Sequence, residues 1–214
     1  MGAWIQLRYR RFFALLTVAA DLAAIVAVGW WVASKVSRRA RASWLELRQH
    51  VADHALPLAF LVALICTLGS LYYSEVAHFI PCKLCWYQRI AMYPLTVILG
   101  IAAMRRDLQI RRYVIPIVAL GSVISTYHYV IERFPNLAGG SCDPSAPCTV
   151  TWVWEFRFIS IPFMALGGFA LIATLLLTAS PSISEEGEEF IDDDEDASET
   201  TFDAPAVAAT AARA

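Results

Sequence analysis

Charge is scarce in this chain. Asp, Glu, Lys and Arg make up 17% of its 214 residues, against about 25% in an ordinary soluble domain. Hydrophobic residues make up 58%, and the mean hydropathy is +0.53. A water-soluble domain of this size has too little interior to hide so much apolar surface, so the composition excludes one and points to an integral membrane protein. Acids are scarcer still outside one place. Eleven of the nineteen fall within residues 185–203, which leaves eight acids against sixteen Lys and Arg in the first 180 residues, a net of about +8. The arginines stand in short clusters beside apolar runs, which argues against a nucleic-acid surface. No apolar stretch alternates with period two, which argues against a β-barrel. No repeat of about 20–50 residues is present.

Apolar runs are what the chain has in quantity. A membrane-crossing helix needs about 20 apolar residues, because a rise of roughly 1.5 Å per residue must cover about 30 Å of hydrocarbon. Residues 12–34, 55–74, 84–104, 113–131 and 160–179 qualify. Between the third and fourth runs lies Arg105-Arg106-Asp107-Leu108-Gln109-Ile110-Arg111-Arg112, and its four arginines mark a cytoplasmic loop. Residues 35–54 then share that side, in agreement with Lys35, Arg38, Arg39, Arg41 and Arg48. Segments 75–83 and 132–159 fall outside. The first run is expected to cross, with Arg8, Arg10 and Arg11 outside, although Asp21 within it adds about 2.5–3.5 kcal/mol if central and unpaired. A helix along the inner surface and a cleaved signal sequence are the alternatives. The tail from Pro181 is acidic and then rich in Ala and Thr, and is expected to be disordered and cytoplasmic.

Cysteines number five, four of them in close pairs: Cys82/Cys85 and Cys142/Cys148. The topology puts both pairs on the outer side. The CxxC in Pro81-Cys82-Lys83-Leu84-Cys85-Trp86-Tyr87-Gln88-Arg89 opens a helix, whose N-terminal partial positive charge favours thiolate, the species that exchanges with disulfides. Arg89 falls one turn after Cys85, where an arginine just inside the bilayer needs a task or a partner. Holding a thiolate or hydrogen-bonding a carbonyl of a lipid-soluble cofactor would supply one. Cys142 and Cys148 lie in a Gly- and Pro-rich loop that a soluble partner can reach. Two pairs on one face suggest a relay from the loop to the CxxC and on to a two-electron acceptor in the bilayer. A zinc site or inert disulfide staples remain the alternatives, though the spacing departs from usual zinc patterns and no metal site is expected. Cys66 reads as a buried, inert small residue. The glycines Gly100, Gly121, Gly167 and Gly168 read as points of close helix contact. Residues 151–158 are expected to form a short interfacial helix.

The signature at 81–89 resembles that of the bacterial disulfide bond formation protein B (DsbB) family, in its BdbC-like branch. Ser125-Thr126-Tyr127-His128 is similar to that family's Ser-x-Tyr-His segment. Cys148-Thr149, Trp152 and Ile159-Ser160-Ile161-Pro162-Phe163-Met164-Ala165-Leu166 resemble its last loop and span. The likeness covers about residues 55–179. Vitamin K epoxide reductase-like proteins are architectural relatives, but they carry their loop cysteines before the CxxC. The resemblance implies an all-α integral membrane four-helix bundle over 55–179. An additional N-terminal transmembrane helix and a basic cytoplasmic loop would occupy 1–54, and the acidic tail 180–214. It implies a multi-pass protein of the bacterial inner membrane that transfers electrons from a DsbA-like thioredoxin-fold oxidase to ubiquinone or menaquinone. Its contacts would be that partner and membrane lipid, with no nucleic acid. By carry-over, Cys142 would form the mixed disulfide with the partner and Cys148 would resolve it. Cys82 would exchange with the loop pair, Cys85 would pass electrons to the quinone beside Arg89, and His128 would help position the quinone. A vitamin K epoxide reductase-like activity and a non-enzymatic membrane scaffold with structural disulfides or a metal are the competing readings.

Overall fold

The computed structural model describes residues 3–138, 142–143 and 146–179. Five long helices account for most of them: α1 (Ala3–Val36), α2 (Arg38–Leu71), α3 (Lys83–Arg105), α4 (Arg111–Arg133) and α5 (Ile161–Thr178). Four of these, α3 excepted, are long and apolar enough to cross a membrane. The 23-residue α3 is long enough but carries Lys83, Gln88, Arg89 and Pro94. Apolar side chains cover the outside as well as the core: Leu22 and Ile25 on α1, Leu61 and Leu68 on α2, Val97 and Ile101 on α3, and Leu120 and Val123 on α4 are exposed. A helix that is apolar all round belongs in a bilayer or a large core. The core proper is built by Leu56, Ala59 and Ala63 of α2, Met92, Leu95 and Leu99 of α3, Val114 and Val118 of α4, and Phe169, Ile172 and Leu176 of α5.

The basic segment 38–54 is helix rather than loop. Only Ser37, in extended conformation, separates α1 from α2, and α2 then runs unbroken for 34 residues. At roughly 1.5 Å per residue that is about 50 Å, longer than the hydrocarbon layer, so its first turns project past the apolar zone. The segment is rich in helix formers such as Ala40, Ala42, Leu45 and Leu47, and it buries Trp44. Arg48 Nε donates to the Thr178 carbonyl at 2.9 Å, which satisfies one open carbonyl at the end of α5.

Helix α1 packs against α2 and α5. At its start Arg10 pairs with Glu155 at 3.5 Å, and the rings of Tyr9 and Tyr72 lie 4.8 Å apart. At its end Trp30 Nε1 donates to Ser43 Oγ. It therefore runs antiparallel to α2 for the length of the bundle, as a crossing helix does. The clustered Lys and Arg of 35–48 and 105–112 gather at one end, and the cysteine pairs at the other. Helix contacts are close where glycine permits. A Cβ on Gly121 would collide with the Phe169 ring, and one on Gly168 would lie 2.5 Å from Cys66 Sγ.

Residues 151–158 do not form the expected helix. Glu155 and Ile159 exchange two backbone hydrogen bonds, of 3.0 and 2.9 Å, as an isolated antiparallel bridge. Phe156 and Arg157, both left-handed with φ of 48° and 69°, close the turn. Two successive left-handed residues are incompatible with a right-handed helix. The acidic tail, 180–214, lies outside the described residues.

Candidate functional site

Cys82 is the N-cap of α3. Its backbone is extended, and the Cys85 backbone N–H donates to its Sγ at 3.3 Å, the bond that a capping side chain makes to the third helical residue. The two sulfurs are 3.1 Å apart as free thiols. Below them on α4, His128 is 2% exposed. Its Nε2 lies 3.5 Å from Cys82 Sγ and 3.2 Å from the Cys148 carbonyl oxygen. Its Nδ1 lies 3.1 Å from Gln88 Nε2, itself buried on α3. With the Gln88 amide donating to Nδ1, the ring proton sits on Nε2 and is offered to Cys82 and Cys148. The Cys82 thiol is held well below the ordinary thiol range, first by the hydrogen bond from Cys85, against the opposing effect of burial, with further help from His128.

The second pair is a disulfide, Cys142–Cys148, with Cα atoms 5.8 Å apart. Cys148 is buried against Cys82, Leu84 and Ile131, whereas Cys142 is half-buried. The chain after Cys148 is tied down on α4: Tyr129 donates its hydroxyl hydrogen to the Phe158 carbonyl at 3.0 Å, and Arg133 stacks over Trp154 at 4.3 Å. These contacts hold the loop over His128. The two pairs that the charge pattern assigned to one side do share one end of the bundle.

On its other side the CxxC meets a cavity of about 400 Å³. Cys85, Gln88, Arg89, Met92 and Tyr93 line it from α3, Cys66 and Ser70 from α2, and Phe79 and Trp152 from the loops. Arg89 Nη2 donates to the Ser70 carbonyl at 3.2 Å, and its guanidinium lies over the Trp86 ring. The volume and the mostly apolar lining with few polar groups fit a small hydrophobic ligand. Cys82 and His128 do not line it. The CxxC is thus two-faced, with Cys82 toward the loop disulfide and Cys85 toward the cavity. His128 stands on the Cys82 side, one side chain removed from the cavity through Gln88, which lines it. Cys66 is in the cavity wall. His78 is exposed.

Two residues carry more than the sequence disclosed. Gln88 stood within the signature without a role; its placement one turn after Leu84, buried inside an apolar run, was the available signal. Glu132, one turn after His128, keeps one buried carboxylate oxygen without a hydrogen-bond partner among the described residues; an acid directly after an apolar run, one turn beyond the motif histidine, was the signal there. The donor atoms of Cys82, Cys85 and His128 all lie within 4.8 Å of one another, close enough to share a thiophilic metal ion.

Residues 52–179 match the family model for disulfide bond formation protein DsbB. The chain belongs to the DsbB family. It is 45% identical over 128 residues to disulfide bond formation protein C of Bacillus subtilis, covering 59% of this chain and 93% of that protein. It is 47% identical over 128 residues to a probable disulfide formation protein C 1 of Bacillus anthracis, covering 59% and 91%. With a probable disulfide formation protein of Coxiella burnetii it shares 41% identity over 135 residues, covering 62% and 92%. No solved structure matches. This is a membrane disulfide-forming protein of the DsbB family, and α1 with the first turns of α2 lies outside the family match.

Proposed function

We propose that the chain oxidises a DsbA-like thioredoxin-fold dithiol protein outside the bacterial cytoplasmic membrane and delivers the electrons to a membrane quinone. The two-faced CxxC carries this reading. The half-buried Cys142 is the sulfur a soluble partner can attack; the partner's two thiols become a disulfide, and Cys142 and Cys148 become thiols. Cys148 then attacks Cys82 of an oxidised CxxC, forming a Cys82–Cys148 bond and freeing Cys85 as thiolate on the cavity side. Cys142 attacks Cys148, re-forms the loop disulfide and releases Cys82. Low basicity makes Cys82 a good leaving group, and the His128 proton steadies it. The two thiol protons of the loop pair end on the CxxC. Arg89, Tyr93 and Ser70 line the cavity where a quinone would lie beside Cys85. A quinone held there would supply a two-electron, two-proton acceptor for the electrons that Cys82 and Cys85 give up as their disulfide closes. The positively charged opposite end of the bundle supports a cytoplasmic location for 35–48 and 105–112, hence an outward location for both pairs.

The test is turnover of the purified protein with a reduced thioredoxin-fold oxidase and a soluble quinone. Quinone reduction that stops in Cys85→Ala and in Cys142→Ser is the expected result. Partner oxidation in Cys85→Ala beyond the one equivalent its loop disulfide supplies, or in the wild type without quinone beyond the two equivalents its two disulfides supply, overturns the proposal.

A further inference from the structure

We propose that α1, a helix outside the family match, forms one wall of the cavity beside Cys85 and sets the size of acceptor headgroup that fits. The inference rests on the reading of that cavity as the acceptor site. Phe13, Leu16, Thr17 and Ala20 of α1 line it together with Cys85 and Arg89 of α3. The helix is seated by side chains that enter notches on the matched segment. A Cβ on Gly69 of α2 would lie 2.9 Å from the Phe13 ring, and one on Gly167 of α5 would lie 2.7 Å from Asp21 Oδ1 and 3.2 Å from Thr17 Cγ2. The Phe13 ring also packs 5.7 Å from that of Tyr73, and the Arg10–Glu155 pair ties the helix start to the loop that follows Cys148. The small side chain at Ala20 leaves the space open; a larger one there would occupy it. Without this wall the space beside Cys85 would open on lipid. With it, the acceptor is a planar, lipid-soluble carrier whose ring must fit between α1 and α3.

The full-length chain is assayed with a one-ring benzoquinone and a two-ring naphthoquinone that bear the same tail. Ala20→Phe narrows the space and Leu16→Ala widens it. The expected result is opposite shifts: Ala20→Phe raises the KM for the two-ring acceptor about tenfold or more relative to the one-ring acceptor, and Leu16→Ala lowers that ratio. Leu22→Phe, on the exposed face of the same helix, leaves the ratio unchanged. Single-turnover exchange between the partner and the loop pair, which needs no acceptor, stays at the wild-type rate in all three. An unchanged ratio in both cavity variants, or shifts of the same sign, overturns the inference while the proposed function stands. If Ala20→Phe fails to fold, the Leu16→Ala ratio decides alone. Absence of quinone reduction by the wild type removes the proposed function instead, and this inference with it.

Discussion

Replacing His128 tests the electrostatics of the site most directly. The ring proton on Nε2 is shared between Cys82 Sγ and the Cys148 carbonyl. A hydrogen bond to a charged group contributes roughly 1.5–3 kcal/mol, and about 1.36 kcal/mol corresponds to one pKa unit. His128→Ala should therefore raise the Cys82 pKa by about one to two units. The Cys85 hydrogen bond, the larger cause, persists, so the thiol stays below its ordinary range. In a Cys142→Ser/Cys148→Ser chain the ultraviolet absorbance of thiolate, titrated downward from neutral pH, reports the shift. The sign is fixed: the variant loses thiolate at a higher pH than the parent. With a Brønsted dependence of roughly one half, departure of Cys82 from Cys148 slows about three- to tenfold. His128→Gln, which can still donate from the same place, should recover part of both effects. A titration midpoint unmoved by His128→Ala would refute the assignment of the Nε2 proton to Cys82.

Arg89→Ala should raise the acceptor KM about tenfold while single-turnover exchange with the partner is kept, as judged by steady-state and quenched-flow kinetics; equal loss in both would place Arg89 in folding rather than in the cavity. Zinc should bind the reduced chain and not the oxidised one, and Gln88→Ala should weaken it about 10–100-fold, because it frees the ring that Gln88 orients; calorimetry with and without thiol oxidation measures this, and equal affinity in both redox states would contradict the Cys82–Cys85–His128 cluster. Gly121→Ala should destabilise the bundle by about 1–3 kcal/mol through collision with the Phe169 ring, read as a lower unfolding midpoint in detergent.

The number of helices and the sharing of one end by both cysteine pairs were legible because they rest on hydropathy and arginine placement, which act through the bilayer as a whole. The extent of α2 was not. Its first turns carry Arg38, Arg39, Arg41 and Arg48, and charge patterning reports the side of the membrane, not whether the backbone is helical. The turn at 155–159 was hidden for a related reason. Its aromatic residues suit an interface in any conformation, whereas the left-handed pair Phe156–Arg157 follows from how the loop closes over α4. His128 was found by its motif, while its neighbours Cys82, Gln88 and the Cys148 carbonyl were not. A motif gives the residue, but only packing decides which of two sulfurs it faces. The cavity wall from α1 lay beyond any motif, since Leu16 and Ala20 read as ordinary span residues.

The separation of roles between Cys82 and Cys85 follows from helix geometry. At about 100° per residue, positions three apart differ by roughly 60° around the axis. The sulfurs are therefore near enough to bond to each other, yet meet different neighbours. The N-cap position turns Cys82 back over the first turn, where it accepts the Cys85 N–H and meets α4 with His128. Cys85, already inside the helix, points where α3 faces α2 and α1, which is the cavity. Placing the second cysteine one residue later would carry its sulfur a further 100° or so around α3, lose the N-cap bond as a link between the two, and leave the cavity without a thiol from the CxxC. The CxxC spacing at a helix start is thus what lets one dithiol serve a protein disulfide on one side and an apolar cavity on the other.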